Sequence, residues 1–173
     1  MELKDFIRDV KDFPKPGIVF KDITPLLASP QVFAYVVDRL AAFTAQRESD
    51  VILAADSRGF LFGAAVAYHL GLPLVIVRKP GKLPYKTVSH TYQLEYGTDT
   101  LHLHEDAVRK GQRVMIIDDL LATGGTVEAC AKLVEKLGGI VSGAGFVIEL
   151  SFLKGREKLK DYKVFSIIDY TTE

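Results

Sequence analysis

Two adjacent aspartates at the end of an apolar run, followed at once by a turn of small residues, constrain this chain more than anything else in it. The stretch runs Val114-Met-Ile-Ile-Asp-Asp-Leu-Leu-Ala-Thr-Gly-Gly-Thr126. The apolar residues Val114 to Ile117 suit a strand covered on both faces, as in a parallel sheet. Val127, Cys130, Val134 and Leu137 then recur at helical spacing. Gly124 and Gly125 let the backbone approach a ligand closely and take positive φ. The free N–H groups of such a turn and helix start bind anions, phosphate above all, and Thr123 and Thr126 add hydroxyls at the same point.

The acidic pair Asp118 and Asp119 needs donors. Two carboxylates roughly 5 Å apart repel by about 3 kcal/mol at an effective dielectric near 20. Sugar hydroxyls, lysines or a ligand-borne Mg²⁺ would answer them. A ribose 5-phosphate fits the whole, with its hydroxyls on the carboxylates and its phosphate in the turn. A strand end with an aspartate capping the next helix would account for one aspartate, not for the full stretch. A Walker A loop is excluded, because no Gly-Lys-Ser/Thr follows the glycines.

At 173 residues the chain suits one domain with a sizeable core. No apolar run approaches the ~20 residues that span a bilayer, and the amphipathic, charged Met1-Glu-Leu-Lys-Asp-Phe6 is unlike a signal peptide. Lysine plus arginine and aspartate plus glutamate balance at 22 each, so no global field favours nucleic acid or an anionic membrane. The single cysteine, Cys130, excludes an internal disulfide and fits a reducing compartment; its place on the apolar side of a helix reads as packing. The expectation is a cytoplasmic protein.

Taken in order, Leu3 to Val10 reads as a short helix ending before the Phe13-Pro-Lys-Pro-Gly17 turn. Ile18 to Pro25, bounded by prolines, reads as a structured loop or edge strand. Ser29-Pro30 starts a helix, serine as cap and proline in the first turn, with Phe33, Val36, Val37, Leu40 and Phe43 on one face. Asp50 to Ala55 is a core strand running into Asp56-Ser-Arg-Gly59, and a helix follows to Leu70, stopped by Gly71. Ligands bind at such strand ends in open α/β sheets. Arg58 there would grip phosphate as a fork, or pair with Asp56. Leu74 to Arg78 is a second core strand, ending in Arg78-Lys-Pro-Gly-Lys-Leu-Pro84, either a solvated charge run or part of a polyphosphate pocket.

Thr91–Tyr96 and Thr100–His104 alternate around Gly97, a hairpin over the sheet. Its polar make-up predicts marginal packing and a mobile lid that excludes water. His102 and His104 share a face, with nothing nearby to complete a metal site. Ile140–Leu150 and Val164–Ile168 are the last strands, with helical turns over Lys154–Leu159 between them. The succession implies a mainly parallel five-stranded sheet flanked by helices. It forms a single domain over 1–173, with an N-terminal segment at 1–28 and the hairpin inserted at 83–105.

The stretch at Val114–Thr126 resembles the phosphoribosyl-diphosphate (PRPP) signature of type I phosphoribosyltransferases. Phe13–Pro25, Asp56-Ser-Arg-Gly-Phe-Leu-Phe-Gly63, Arg78–Pro84 with Leu94-Glu-Tyr-Gly97, and Leu153–Leu159 resemble the adenine branch of that family. The resemblance implies the family's fold, Mg²⁺, a homodimer, and the reaction of adenine with PRPP to give AMP and pyrophosphate. By position, Asp118 and Asp119 would hold the ribose hydroxyls, and Ala122, Thr123, Gly124, Gly125 and Thr126 the 5-phosphate. Ser57, Arg58, Lys79, Lys82 and Tyr96 would hold pyrophosphate. Phe20 and Leu150 would flank the base, with its edge read by main-chain groups of Val19 and Lys21. From the residues alone, Phe20 reads equally as core. Some relatives carry arginine where this chain has Lys21, which a main-chain contact survives. Glu95 would move the ring proton of adenine, or else be a solvated strand residue. Mg²⁺ would be held mostly by substrate oxygens and water, not by protein side chains directly. Two other readings are a phosphoribosyltransferase for another base, and a PRPP-sensing regulator that binds nucleic acid. The regulator should carry a helix-turn-helix extension or a basic face, and neither is visible here.

Overall fold

Proline and glycine punctuation sets where most elements of this chain start and stop. The structure, a computed structural model, describes residues 2–94 and 97–172. A 3₁₀ turn at Leu3–Phe6 leads into β1 (Arg8–Lys11), which pairs antiparallel with β2 (Val19–Asp22). The helix expected over Leu3 to Val10 is therefore only a single turn. The Pro-Gly turn, with Gly17 at φ 86° and its N–H donating to Asp12 Oδ1 at 2.8 Å, folds the chain back. Residues 8–11 thereby gain a ladder partner that local periodicity does not reveal. Of the Ile18–Pro25 stretch, expected as a structured loop or edge strand, Val19–Asp22 form β2 and Thr24 and Pro25 already begin a helix.

After α1 (Thr24–Leu27), α2 (Pro30–Gln46) starts with its proline in the first turn. Ser29 occupies the cap position, but its hydroxyl makes no capping bond. Val36, Val37 and Leu40 are buried as the 3.6-residue period requires. The chain continues through β3 (Val51–Ala55), α3 (Gly59–Leu70, closed by Gly71 at φ 65°) and β4 (Leu74–Val77). It then forms the hairpin β5 (Thr87–Gln93) and β6 (Thr98–His104), followed by β7 (Arg113–Leu121) and α4 (Gly125–Lys136). It closes with β8 (Ile140–Leu150), two 3₁₀ turns (Ser151–Leu153, Gly155–Leu159) and β9 (Val164–Tyr170).

The main sheet is five-stranded in the order β4-β3-β7-β8-β9, with every neighbouring pair parallel. One core packs the sheet against α4 and the hairpin through Leu53, Leu101, Leu103, Ile116 and Cys130. The other packs it against α2 and α3 through Leu40, Phe62, Val66, Met115 and Ile117. Cys130 is thus packing, as its periodicity predicts, and burial pushes its thiol pKa far up. β3 and β7 are adjacent in the sheet, but the connections leaving them run to opposite sides of it. That reversal opens a crevice beyond their carboxyl ends, where doubly wound sheets bind ligands. Among the described residues, no helix is long and apolar enough to cross a membrane.

The hairpin departs from expectation in one respect. Its root is not marginally packed: Leu101 and Leu103 are 1% and 0% exposed. Arg78 and His102 exchange backbone N–H···O bonds of 3.0 and 2.8 Å, stitching the hairpin to the chain beyond β4. Two well-placed leucines outweigh the polar composition, because burial depends on the one inward face. Leu103→Ala is expected to lower unfolding stability by about 2–5 kcal/mol. Leu94→Ala, near the exposed tip, should change it by less than about 0.5 kcal/mol; chemical denaturation of both variants checks this.

Candidate active site

The crevice at the reversal point is made by two turns, one after β3 and one after β7. The turn after β3 carries Asp56, Ser57 and Arg58, and the Asp56–Ser57 peptide is cis. Asp118 and Asp119 lie in β7 itself, which runs on to Leu121 before the small-residue turn. Gly124, at φ 84°, is the residue before α4 and supplies the left-handed geometry expected of it. Arg58, Asp118, Asp119, Leu120 to Val127 and Phe146 surround a cavity of about 180 Å³.

Close packing of backbone shapes this cavity. A Cβ on Gly59 would lie 2.7 Å from Asp118 Oδ1, so only glycine lets α3 start against the acidic pair. A Cβ on Gly124 would lie 2.6 Å from the Gly155 carbonyl oxygen, and one on Gly155 would collide with the Ala122 carbonyl oxygen. The 3₁₀ turn at Gly155–Leu159 is therefore the outer support of the small-residue turn.

The electrostatics divide the two carboxylates. Arg58 Nε stands 2.9 Å from Asp119 Oδ2. The contact is a charge pairing without hydrogen-bond alignment, and Oδ2, buried, has no hydrogen-bond donor among the described residues. Asp118 accepts the Asp119 N–H at 2.9 Å. Although the residue is only partly shielded overall, its carboxyl is crowded by protein. Burial pushes its pKa well above the ordinary carboxylate value, and the neighbouring Asp119 charge adds to this. The free site thus holds a pair in which one carboxylate is answered by Arg58 and the other favours its proton.

Arg58 does more than pair with Asp119. Its guanidinium lies 4.8 Å from the Phe20 ring centroid, and Nη1 donates to the Lys21 carbonyl at 3.4 Å. The alternative pairing with Asp56 is not formed, since Asp56 is held by Arg78 Nε at 3.2 Å. One arginine therefore touches both the acidic pair and the N-terminal segment.

That segment builds a second cavity, of about 280 Å³, lined by Ile18, Val19, Lys21, Thr123, Leu150, Phe152 and Leu153. Val19, Lys21 and Leu150, the positions that the resemblance assigns to the base, line one wall here. Phe20 is not on this wall; it packs edge-on against Phe13 at 5.2 Å and under Arg58. The Lys21 ammonium is buried between Asp9 Oδ1, at 2.7 Å, and the Tyr170 ring, 4.1 Å from its centroid. Its side chain is an anchor, consistent with a role carried by the main chain. Among the described residues β2 pairs with β1 alone, and its other edge has no sheet partner.

A third cavity, of about 480 Å³, lies between the hairpin and the small-residue turn, lined by Tyr92, Gln93, Leu94, Thr123, Gly125, Thr126 and Lys158. Thr123 belongs to all three cavities. Lys79 is not on any of these walls; it pairs with Asp99 of β6, and that contact holds the Asp99 carboxyl below its usual pKa. Ser57, in the turn after β3, and Lys82, in the chain beyond β4, are exposed and line none of these cavities. Glu95 and Tyr96 lie outside the described residues. Among those described, no group of three or more His, Cys, Asp or Glu side chains is placed to hold a metal ion. Asp119 Oδ2, buried against Arg58, is not open to a metal ion, which fits a Mg²⁺ that would be held by ligand oxygens and water.

Sequence reasoning missed Phe152 and Leu153, although they directly follow Leu150. It also missed the support behind them. Glu149, 4% exposed, is gripped by Arg156 through Nε–Oε1 at 2.7 Å and Nη2–Oε2 at 2.8 Å, and accepts from Ser166 Oγ at 2.6 Å. Burial raises the Glu149 pKa, but these donors outweigh it and hold it below the usual value. The clamp ties the base of the Leu150–Leu153 wall to the turn beside Gly155.

The pattern of the phosphoribosyl transferase domain family matches residues 25–172. The adenine phosphoribosyltransferase of Thermotoga petrophila is 56% identical over 170 residues, covering 98% of this chain and 100% of the relative. The crystal structure of the adenine phosphoribosyltransferase from Thermoanaerobacter pseudethanolicus superposes with a TM-score of 0.95 at 57% identity, covering 98% of each chain. The Saccharomyces cerevisiae enzyme, solved with adenine and an imino-altritol bisphosphate, gives a TM-score of 0.89 at 40% identity over 95% of this chain and 96% of that one.

The Glu149 clamp generates a pH-dependent expectation. Its folded pKa is depressed, so its contribution is complete above the ordinary value of 4.5 and fades as pH falls through the folded value. Arg156→Ala strands a buried carboxylate and should cost about 1–3 kcal/mol at neutral pH. That deficit should shrink in acid, as Glu149 takes up a proton; denaturation at several pH values measures it.

Proposed function

The chain belongs to the phosphoribosyltransferase family, and we propose that it transfers the 5-phosphoribosyl group of PRPP to adenine, forming AMP and releasing pyrophosphate. It is a purine-salvage enzyme of the glycosyltransferase type. One observation carries the reading: the cavity bearing the acidic pair and phosphate turn meets the apolar cavity of Val19, Lys21 and Leu150 at Thr123. A flat heteroaromatic base and a phosphorylated ribose are thereby brought edge to edge.

In this reading Asp118 and Asp119 accept hydrogen bonds from the ribose hydroxyls, and Ala122–Thr126 surround the 5-phosphate. The Asp119 oxygen left without a donor is one supporting sign. Arg58 is the pyrophosphate cation nearest the acidic pair. Ser57, Lys79, Lys82 and Tyr96 join it at the crevice mouth, Lys79 after leaving Asp99. Bond breaking at C1′ gives the ribose oxocarbenium character and puts negative charge on the leaving group. Fixed cations that answer this charge are the main electrostatic contribution. Mg²⁺, held mostly by substrate oxygens and water, would supply further positive charge for the leaving group.

In this reading adenine lies against Leu150 with its edge on main-chain groups of Val19 and Lys21, and Phe20 flanks it only after its ring leaves Phe13 and Arg58. A main-chain carbonyl accepting from the 6-amino group would meet oxygen with oxygen in hypoxanthine. Sites of that kind discriminate by roughly 10⁴-fold. Glu95 takes or returns the ring proton, and the hairpin between residues 83 and 105 closes over the reacting atoms. The working form is a homodimer in the cytoplasm, and balanced charge at 22 and 22 gives no reason to expect nucleic-acid binding.

A panel of adenine, hypoxanthine, guanine, xanthine, orotate and uracil with PRPP and Mg²⁺ tests this. Selective AMP formation, reduced at least 10²-fold by Glu95→Ala, is the expected result. Another nucleotide formed preferentially would replace the base, and an undiminished mutant would remove Glu95 from the chemistry.

A further inference from the structure

Lys158 is the feature that the proposed roles leave unused. It sits in the 3₁₀ turn Gly155–Leu159, whose backbone already supports the small-residue turn at Gly124. Its Nζ lies 3.8 Å from where a Cβ on Gly125 would be, beside the first residue of α4. It lines the 480 Å³ cavity together with Thr123, Gly125 and Thr126. Among the described residues it has neither a hydrogen bond nor an ion pair. Four other basic residues near the crevice are engaged: Arg58 by Asp119, Arg78 by Asp56, Lys79 by Asp99 and Arg156 by Glu149.

An ammonium without a counter-ion, held against a turn of main-chain N–H groups and two threonine hydroxyls, has the composition of a phosphate site. The turn supplies direction and the lysine supplies the full charge that backbone dipoles lack. We propose that Lys158 is a further substrate-binding residue, pairing with the 5-phosphate of PRPP and of AMP from the hairpin side of the turn. This rests on the phosphoribosyl-transfer reading and deepens it.

The placement has two consequences. The 5-phosphate does not change charge in the reaction, so a contact to it is uniform binding, which acts on KM more than on kcat. The site is also at the far end of PRPP from the pyrophosphate cations, so Lys158 should distinguish the two ends of the substrate. Its neighbours Tyr92, Gln93 and Leu94 belong to the hairpin. A phosphate held by Lys158 would therefore lie in the cavity that Tyr92, Gln93 and Leu94 share with the turn.

The test compares wild type, Lys158→Ala and Lys158→Arg by calorimetric binding of ribose 5-phosphate and of pyrophosphate, and by steady-state kinetics. Lys158 is exposed and unpaired, so the variants should fold normally, which thermal melting checks. The expected result for Lys158→Ala is a roughly five- to twenty-fold loss of ribose 5-phosphate affinity. The KM for PRPP should rise in parallel, while kcat, the KM for adenine and pyrophosphate affinity stay within about twofold. Lys158→Arg should recover most of the loss. Ribose 5-phosphate affinity unchanged in Lys158→Ala, or an equal loss for pyrophosphate, would overturn the assignment. A wild type that binds ribose 5-phosphate through Lys158 but makes no AMP would instead sink the reaction and leave the phosphate contact standing.

Discussion

The structure depends on keeping two carboxylates side by side at the end of a central strand. Asp118 and Asp119 repel one another, and no hydrophobic gain compensates locally. Three things make the arrangement tolerable. Arg58 answers Asp119 at 2.9 Å, Asp118 accepts a main-chain N–H, and burial favours the protonated form of Asp118. The remaining demand for donors is left open. A site with an unfilled polar requirement at its centre is costly for a folded chain and useful for one that must bind hydroxyls.

The topology brings the other parts to that point. Because β3 and β7 are neighbours and their connections diverge, two turns face one another across the crevice without any long loop. Close backbone approach then does what side chains cannot. Gly59 lets α3 begin against Asp118, and Gly155 lets the chain after β8 rest on the small-residue turn. Glu149 and Arg156 fix that chain, so the wall of the apolar cavity and the support of the small-residue turn are tied together. Arg58 performs the matching task on the other side, reaching from Asp119 to Phe20 and the Lys21 carbonyl.

What was legible in the sequence follows from what is local. The parallel strands, the helices between them, the glycine turn and the acidic pair announce themselves through runs and spacings of a few residues. β1 was read as helix because its ladder partner lies across a Pro-Gly turn, and pairing of that kind leaves no periodicity in four residues. The hairpin was read as loosely packed because composition hides which face turns inward; Leu101 and Leu103 decide it. Val19, Lys21 and Leu150 were found only through resemblance, since three residues from distant segments carry no joint signal. Arg58 was expected to face a ligand or Asp56. Its partner is Asp119, a residue far along the chain, and only the fold brings the two together.

The measurement that tests the central claim most directly takes Asp118→Asn and Asp119→Asn together and reads ribose 5-phosphate affinity and melting temperature on the same samples. If the pair exists to hold ribose, affinity should fall by about tenfold or more in both variants. Asp118→Asn should melt at or above the wild-type temperature, because a repelling, buried carboxyl has been replaced by a neutral isostere. Wild-type affinity in both variants, with melting temperature reduced, would show that the carboxylates serve the fold and not the ligand, and would contradict the account.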